Sequence, residues 1–109
     1  MPTCELITIG SELLSGSALN TNAQFLAQRI SALDIEVVLQ VSCRDREEDI
    51  LSALSLASSR SDLIIATGGL GPTPDDITRE AVARFFHCGL KFDRAQYQKI
   101  VHHFRVLHR

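Results

Sequence analysis

The sequence predicts an α/β fold in which a mainly parallel sheet carries helices on both faces. The first observation behind this prediction is that strand-like apolar runs and helix-like apolar stripes alternate three times along the chain. The second is composition: 109 residues, of which 45% are hydrophobic and 22% charged, suit a single small globular domain. Successive strand, helix and strand units join through right-handed crossovers, which place the strands parallel to one another.

The pattern assigns each element in turn. The strand-like runs cover residues 4–9, 35–41 and 63–67. A helical stripe follows each run and a fourth closes the chain, at residues 23–33, 50–57, 77–85 and 97–107. The third helix is expected to begin near Thr73, and Gly89 stands where a glycine commonly ends such a helix. Residues 1–109 are therefore expected to form one domain.

Charge and composition exclude several classes of protein. A formal net charge of −2 argues against the overall electrostatics of a nucleic-acid binder. No apolar run approaches the roughly 18 residues of a membrane helix, and the first residues lack the basic start of a secretory signal. The three cysteines show no CxxC spacing and are interpreted as reduced. We therefore expect a cytoplasmic protein with no nucleic-acid or membrane partner.

A glycine-rich run between the third strand and the third helix predicts an anion site. The run TGGLGPTPDDIT covers residues 67–78, and Gly68, Gly69 and Gly71 permit positive φ angles and close approach of N–H groups to a ligand. Asp75 and Asp76 follow directly, and either threonine of the run, at 73 or 78, could add a hydroxyl. The alternative needs no ligand: Thr73 as N-cap, proline at the first helical position and Asp76 at the third.

Two further polar segments are candidates. The loop after the first strand carries Ser11 and Glu12, and it is followed by Asn22; the alternative is that Asn20 or Asn22 is an ordinary helix N-cap. Asp45 follows the second strand, and a helix-start acid is the alternative there. Neither GxGxxG nor GxxxxGK[ST] occurs, so dinucleotide-fold and Walker assignments fail.

These motifs together resemble one family. The segments GSELL at residues 10–14, NTNA at 20–23, Asp45 and the run at 67–78 are similar, in order and spacing, to the molybdopterin-binding domain of MoaB and MogA proteins. The similarity is greatest to its CinA-like (competence/damage-inducible) branch, over about residues 3–100. The resemblance implies a three-layer α/β/α fold with a mainly parallel sheet.

The resemblance also implies a ligand and an activity. In that family the glycine loop holds molybdopterin, and some CinA-like members hydrolyse the pyrophosphate of ADP-ribose with a divalent metal such as Mg²⁺. By this similarity Asp76 and Asp45 are the catalytic candidates. The candidates for ligand binding are Gly68, Gly69, Gly71, Thr73, Ser11 and Asn22. The candidates for metal binding are Glu12, Asp75 and Asp76.

The sequence departs from the family pattern in its length. Family domains usually continue for some 50 residues more, so the chain is expected to be incomplete at its C-terminus, and it contains none of the deamidase domain that some members carry. Family domains form oligomers, which implies a homo-oligomer. Two alternatives to a hydrolase therefore stay open: a non-catalytic module that binds molybdopterin or a nucleotide or serves in assembly, and an inactive fragment.

Overall fold

The computed structural model describes residues 1–16, 21–71, 76–90 and 93–107, which form three strands and five helices. The strands are β1 (Thr3–Ile9), β2 (Glu36–Cys43) and β3 (Leu63–Thr67). The helices are α1 (Ser11–Leu14), α2 (Thr21–Ser31), α3 (Glu47–Arg60), α4 (Thr78–Phe85) and α5 (Arg94–Leu107). None of the helices in these described ranges is long and apolar enough to cross a membrane.

The three strands form one parallel sheet with β1 in the centre. The order is β2-β1-β3. On one side β1 pairs with β2, ending at Ile9 opposite Cys43, and on the other it pairs with β3, ending at Thr8 opposite Thr67. The register shifts once, between Cys4 and Glu5. The predicted α/β class with a parallel sheet is confirmed.

Apolar side chains of β1 alternate between two cores, one on each face of the sheet. Leu6 packs with Ile30 of α2, whereas Ile7 and Ile9 pack with α3 and α4 around Ile50. This alternation is the two-residue period of a strand that is covered on both sides. The structure therefore has a helical layer, a sheet and a second helical layer.

One buried position of β1 holds an acid. The Glu5 side chain is 1% exposed and lies on the α3 side of the sheet. Arg60 donates to both of its carboxylate oxygens, from Nε at 2.8 Å and Nη2 at 3.0 Å, and Ser61 Oγ lies 3.3 Å from Oε1. The Arg60 guanidinium lowers the pKa of this carboxyl, although burial acts in the opposite direction.

Helix α4 begins later than the sequence pattern predicted. Its first residue is Thr78 and its N-cap residue is Ile77, whose side chain makes no cap hydrogen bond. The expected start near residue 73 is therefore wrong, and so is the alternative that put Asp76 at the third helical position. The physical reason is that the Thr78 N–H donates to Gly69 O at 3.2 Å, so the backbone of the glycine loop satisfies the first turn.

The end of α4 also differs from the prediction. His87, with φ 54°, takes the left-handed position after the helix in place of Gly89. The Cys88 N–H donates to Ala83 O at 2.8 Å and the His87 N–H donates to Arg84 O at 3.2 Å, which is a Schellman motif. A second unpredicted element is α1, a single turn inside the loop after β1.

Candidate functional site

The loops that follow the three strands leave from one edge of the sheet. Because the strands are parallel, their carboxyl ends lie side by side, with β1 between the other two. The Gly10 N–H donates to Cys43 O at 2.9 Å, which joins the end of β1 to the end of β2. The loops after β1, β2 and β3 that carry the predicted candidates therefore leave the sheet side by side.

The glycine loop, residues 68–71, lies tightly against the end of β1. Gly68 and Gly69 have φ angles of +95° and +65°, which side chains disfavour. A Cβ on Gly68 would lie 2.1 Å from Ile9 O, and one on Gly69 would lie 2.2 Å from Thr78 Oγ1. Both positions therefore require glycine, and the positive φ that the sequence pattern allowed occurs at these two of the three glycines of the loop.

Thr78 connects the glycine loop to α4. Its side chain is buried, and its Oγ1 donates to Gly68 O at 2.7 Å. Its backbone N–H donates to Gly69 O. Sequence reasoning considered this hydroxyl only as a donor to a ligand, because the long-range contact that it makes leaves no signature in the spacing of residues.

Asp76 and Gly71 lie together, as predicted. A Cβ on Gly71 would approach Asp76 Oδ2 to 2.8 Å, so the carboxylate covers the far end of the glycine loop. Asp76 is half-buried and precedes α4. Its charge therefore lies beside the loop and outside the first turn of the helix.

Asp45 contacts the loop after β1. The Ser11 N–H lies 3.5 Å from Asp45 Oδ2, a long hydrogen bond that spans the β1 and β2 loops. Helix α3 begins at Glu47 with Arg46 as its N-cap residue, so Asp45 precedes the cap. Asp45 also adds to the raised pKa of the Cys43 thiol, which burial raises most and the charge of Asp49 raises next.

The remaining predicted residues contribute less to this arrangement. Glu12 is exposed, and its Oε1 lies 2.6 Å from where a Cβ on Gly10 would stand, so its carboxylate folds over the start of the loop. Asn22 is exposed inside α2, which begins at Thr21, so Asn22 is not its N-cap; Asn20, the other N-cap candidate, lies outside the described residues. Thr73 and Asp75 lie outside the described residues. In the part of the chain that is described, no group of three or more acidic, histidine or cysteine side chains is placed to hold a metal ion.

An apolar groove adjoins the glycine loop. It has a volume of about 540 Å³ and lies beside β3, with Ile64, Leu70, Val82 and Phe86 among the residues that line it. Thr78 belongs both to this groove and to the glycine loop. The groove runs along the face of β3, away from the loops after β1 and β2.

The chain is thus a parallel α/β domain with a tight glycine loop and two carboxylates, Asp45 and Asp76, at the carboxyl edge of its sheet. The family described as "Probable molybdopterin binding domain" matches residues 5–106. The chain belongs to this family.

Relatives and solved structures support the same assignment. The chain is 47% identical over 96 residues to a protein of Streptococcus equi subsp. zooepidemicus named as competence-damage inducible, covering 88% of this chain and 23% of the relative. A protein of the same name from Streptococcus uberis is 46% identical over 100 residues, covering 92% of this chain and 24% of that one. The chain thus spans about a quarter of the length of these curated relatives.

Two crystal structures have the same architecture. The CinA protein of Thermoplasma acidophilum, whose function is described as unknown, is 34% identical with a TM-score of 0.80, and the match covers 86% of this chain and 56% of that one. The molybdopterin biosynthesis enzyme MoaB of Thermus thermophilus is 26% identical with a TM-score of 0.73, covering 77% of this chain and 54% of that one. The predicted CinA-like branch and MoaB/Mog-type fold are confirmed.

Proposed function

We propose that the loops at the carboxyl edge of the sheet bind a phosphate-bearing pterin or nucleotide. The observation that carries this proposal is the glycine loop, in which two positive-φ glycines press against Ile9 O and Thr78 Oγ1 and leave no room for a side chain. Such a loop lets backbone N–H groups approach phosphate oxygens directly. Similarity to MoaB, a molybdopterin biosynthesis enzyme, supports a pterin.

We further propose that the bound ligand is ADP-ribose and that its pyrophosphate is hydrolysed. Asp76 lies against the glycine loop and Asp45 contacts the loop after β1, and these two acids are the catalytic candidates. Mg²⁺ commonly takes only one or two protein carboxylates, together with substrate phosphates and water, so Glu12, Asp75 and Asp76 suffice as candidate ligands without a closed protein cage. The cation would neutralise charge on the transferred phosphoryl group.

A non-catalytic module is the second candidate. Molybdopterin would occupy the same glycine loop, and a homo-oligomer in the cytoplasm would present several such sites. The exposed apolar groove beside β3 favours self-association over a monomer. An inactive fragment is the third candidate, and it predicts a folded chain that binds neither ligand.

Calorimetry with ADP-ribose separates these candidates. The purified chain is titrated with ADP-ribose, with and without Mg²⁺, and the mixture is then analysed by chromatography for AMP and ribose phosphate. Heat with cleaved product supports the hydrolase, and heat without product supports the binding module. No heat from a cooperatively folded sample contradicts an ADP-ribose site and leaves molybdopterin to be tested next.

Asp76→Asn tests the catalytic proposal at a single residue. The substitution removes the charge beside Gly71 while keeping the shape of the side chain. Turnover should fall by about 100-fold or more, which is the usual effect of losing a group that acts in the transition state. The unfolding transition should change less than turnover does, because asparagine keeps the size of the side chain and one acceptor oxygen.

Asp34→Asn is the matched control. Asp34 is exposed in the turn before β2, at the opposite edge of the sheet, and its φ of 61° suits asparagine equally well. The same chemical change there should leave turnover unaltered. Equal turnover in Asp76→Asn and the wild-type chain would remove Asp76 from the reaction.

A further inference from the structure

We propose that Thr78 is a positioning residue that sets the direction of two peptide groups in the glycine loop and so aims their N–H groups at the ligand. The inference rests on the proposed phosphate-binding function. Thr78 holds two successive carbonyl groups from one side: its hydroxyl donates to Gly68 O at 2.7 Å and its backbone N–H donates to Gly69 O at 3.2 Å.

Peptide geometry carries the effect across the loop. In a trans peptide the C=O and the following N–H point in opposite directions within one plane, and the structure contains no cis peptide in its described residues. With both carbonyls directed at Thr78, the N–H groups of Gly69 and Leu70 point to the opposite side of the loop. Two successive N–H groups with a common direction form an anion-binding concavity.

The loop needs this anchor because glycine does not fix its own conformation. Gly68 and Gly69 both occupy the left-handed half of φ space, which glycine leaves as easily as it enters. Thr78 is 3% exposed, and its Oγ1 lies 2.2 Å from the position that a Cβ on Gly69 would take. A buried side chain in such close contact can hold the loop in one conformation.

The same contact argues against a direct role of the hydroxyl in donating to a phosphate. A threonine hydroxyl has a single proton to donate. Thr78 Oγ1 donates that proton to Gly68 O. A phosphate oxygen, which is an acceptor, therefore gains its hydrogen bonds from the loop backbone that Thr78 orients.

The test compares Thr78→Val, which keeps the shape without the hydroxyl, with Thr78→Ser, which keeps the hydroxyl. NMR order parameters of the Gly69 and Leu70 amides are measured without ligand, and ADP-ribose affinity is measured by calorimetry. We expect order parameters to fall from about 0.85 to below about 0.6 in the valine variant and to stay high in the serine variant. Affinity should fall about tenfold in the valine variant and be rescued to within about threefold by serine.

Thr8→Val controls for the loss of a buried hydroxyl in itself. Thr8 is also 3% exposed, and its Oγ1 lies 2.7 Å from Ser42 Oγ on the α2 side of the sheet. This variant should lose stability without loosening the Gly69 and Leu70 amides. Unchanged amide order in Thr78→Val, or equal loosening in Thr8→Val, would overturn the inference.

The two proposals fail in different ways. If wild-type chain gives no heat with ADP-ribose, the ligand assignment of the proposed function fails. The amide measurements need no ligand, so they still decide whether Thr78 orients the loop. If wild-type chain binds and the valine variant binds equally well, the role of Thr78 is wrong while the site stands.

Discussion

At the scale of single residues, the most consequential side chain outside the site is Glu5. It is buried in the middle of the sheet, and Arg60 pairs with it through two hydrogen bonds while remaining 41% exposed. The sequence pattern placed residue 5 inside a strand but gave no indication of an acid partner 55 positions away. An ion pair between distant positions has no periodicity, so pattern reasoning could not find it.

Glu5→Gln should lower the free energy of unfolding by about 1–3 kcal/mol, because it removes the charge from a buried group whose partner remains. The pH dependence provides the check. The pKa of Glu5 is lower in the folded chain than in the unfolded chain, where it is about 4.3. The ion pair therefore stabilises the fold fully above the unfolded pKa, and this stabilisation is lost as pH falls through the folded pKa. Urea titrations of both proteins at pH 7 and pH 3 measure this difference.

The difference in free energy of unfolding between the wild-type chain and Glu5→Gln should therefore be smaller at pH 3 than at pH 7. Glu36→Gln, an exposed glutamate at the start of β2, is the control and should change stability by less than about 0.5 kcal/mol at either pH. If this difference in free energy of unfolding were the same at pH 7 and pH 3, the charge of Glu5 would not stabilise the fold.

At the scale of elements, the glycine loop is the feature that substitution can test most directly. Gly68→Ala combines an unfavourable φ with a clash of 2.1 Å against Ile9 O. Gly16→Ala is a matched control, because Gly16 also has positive φ, at +79°, but a Cβ there meets nothing within 4 Å. Backbone strain alone should cost Gly16→Ala about 1–2 kcal/mol.

Gly68→Ala should lower the free energy of unfolding by more than Gly16→Ala does, because the end of β1 must move to admit the methyl group. Thermal or urea unfolding of both variants gives the comparison. Gly89→Ala is the reference variant, because Gly89 has open space around it and no positive φ, so its free energy of unfolding should change least. Equal losses in the alanine variants at 68 and 16 would mean that the loop does not press on β1.

Periodicity predicted elements whose apolar faces are covered, such as β1 and α3, and it also predicted α5, whose Tyr97 and Ile100 are exposed. The three strands and α2 to α5 fall where the apolar runs placed them, with ends that differ by several residues. The start of α4 was missed because backbone carbonyls of the glycine loop replace a side-chain cap. The left-handed His87 was missed because glycine is the usual residue there and Gly89 stood nearby.

The candidate site was predictable in part for a similar reason. Glycines and acids next to strand ends are visible in sequence, and parallel pairing brings those ends to one edge. The contact of Asp45 with Ser11 and the anchoring role of Thr78 depend on where two loops meet in space. Such contacts leave no pattern in the local sequence, so only the structure could show them.

At the scale of the whole molecule, the apolar groove beside β3 is the surface that we expect to drive self-association. Phe86, which lines the groove, is 55% exposed, and Leu70 and Leu90 beside it are exposed as well. We expect Phe86→Glu to reduce self-association, because a charge in the groove must be desolvated when another apolar surface covers it. Sedimentation velocity over a concentration series measures the change.

Phe25→Glu is the control for that experiment. Phe25 is equally exposed at 55%, but it lies on α2, outside the groove, with the Arg29 guanidinium 5.1 Å from its ring centre. The same substitution there should leave association unchanged. Similar effects of both substitutions would show that general surface charge, and not the groove, governs association.

The central place of β1 governs the order in which the site is assembled during folding. Its contacts with β2 join residues 34 positions apart, and those with β3 join residues 59 positions apart. Such long-range parallel pairing forms slowly, and the glycine loop meets Ile9 only after the second crossover is complete. A partly folded chain would therefore lack the proposed site, and a ligand that bridges these loops would stabilise the entire sheet against unfolding.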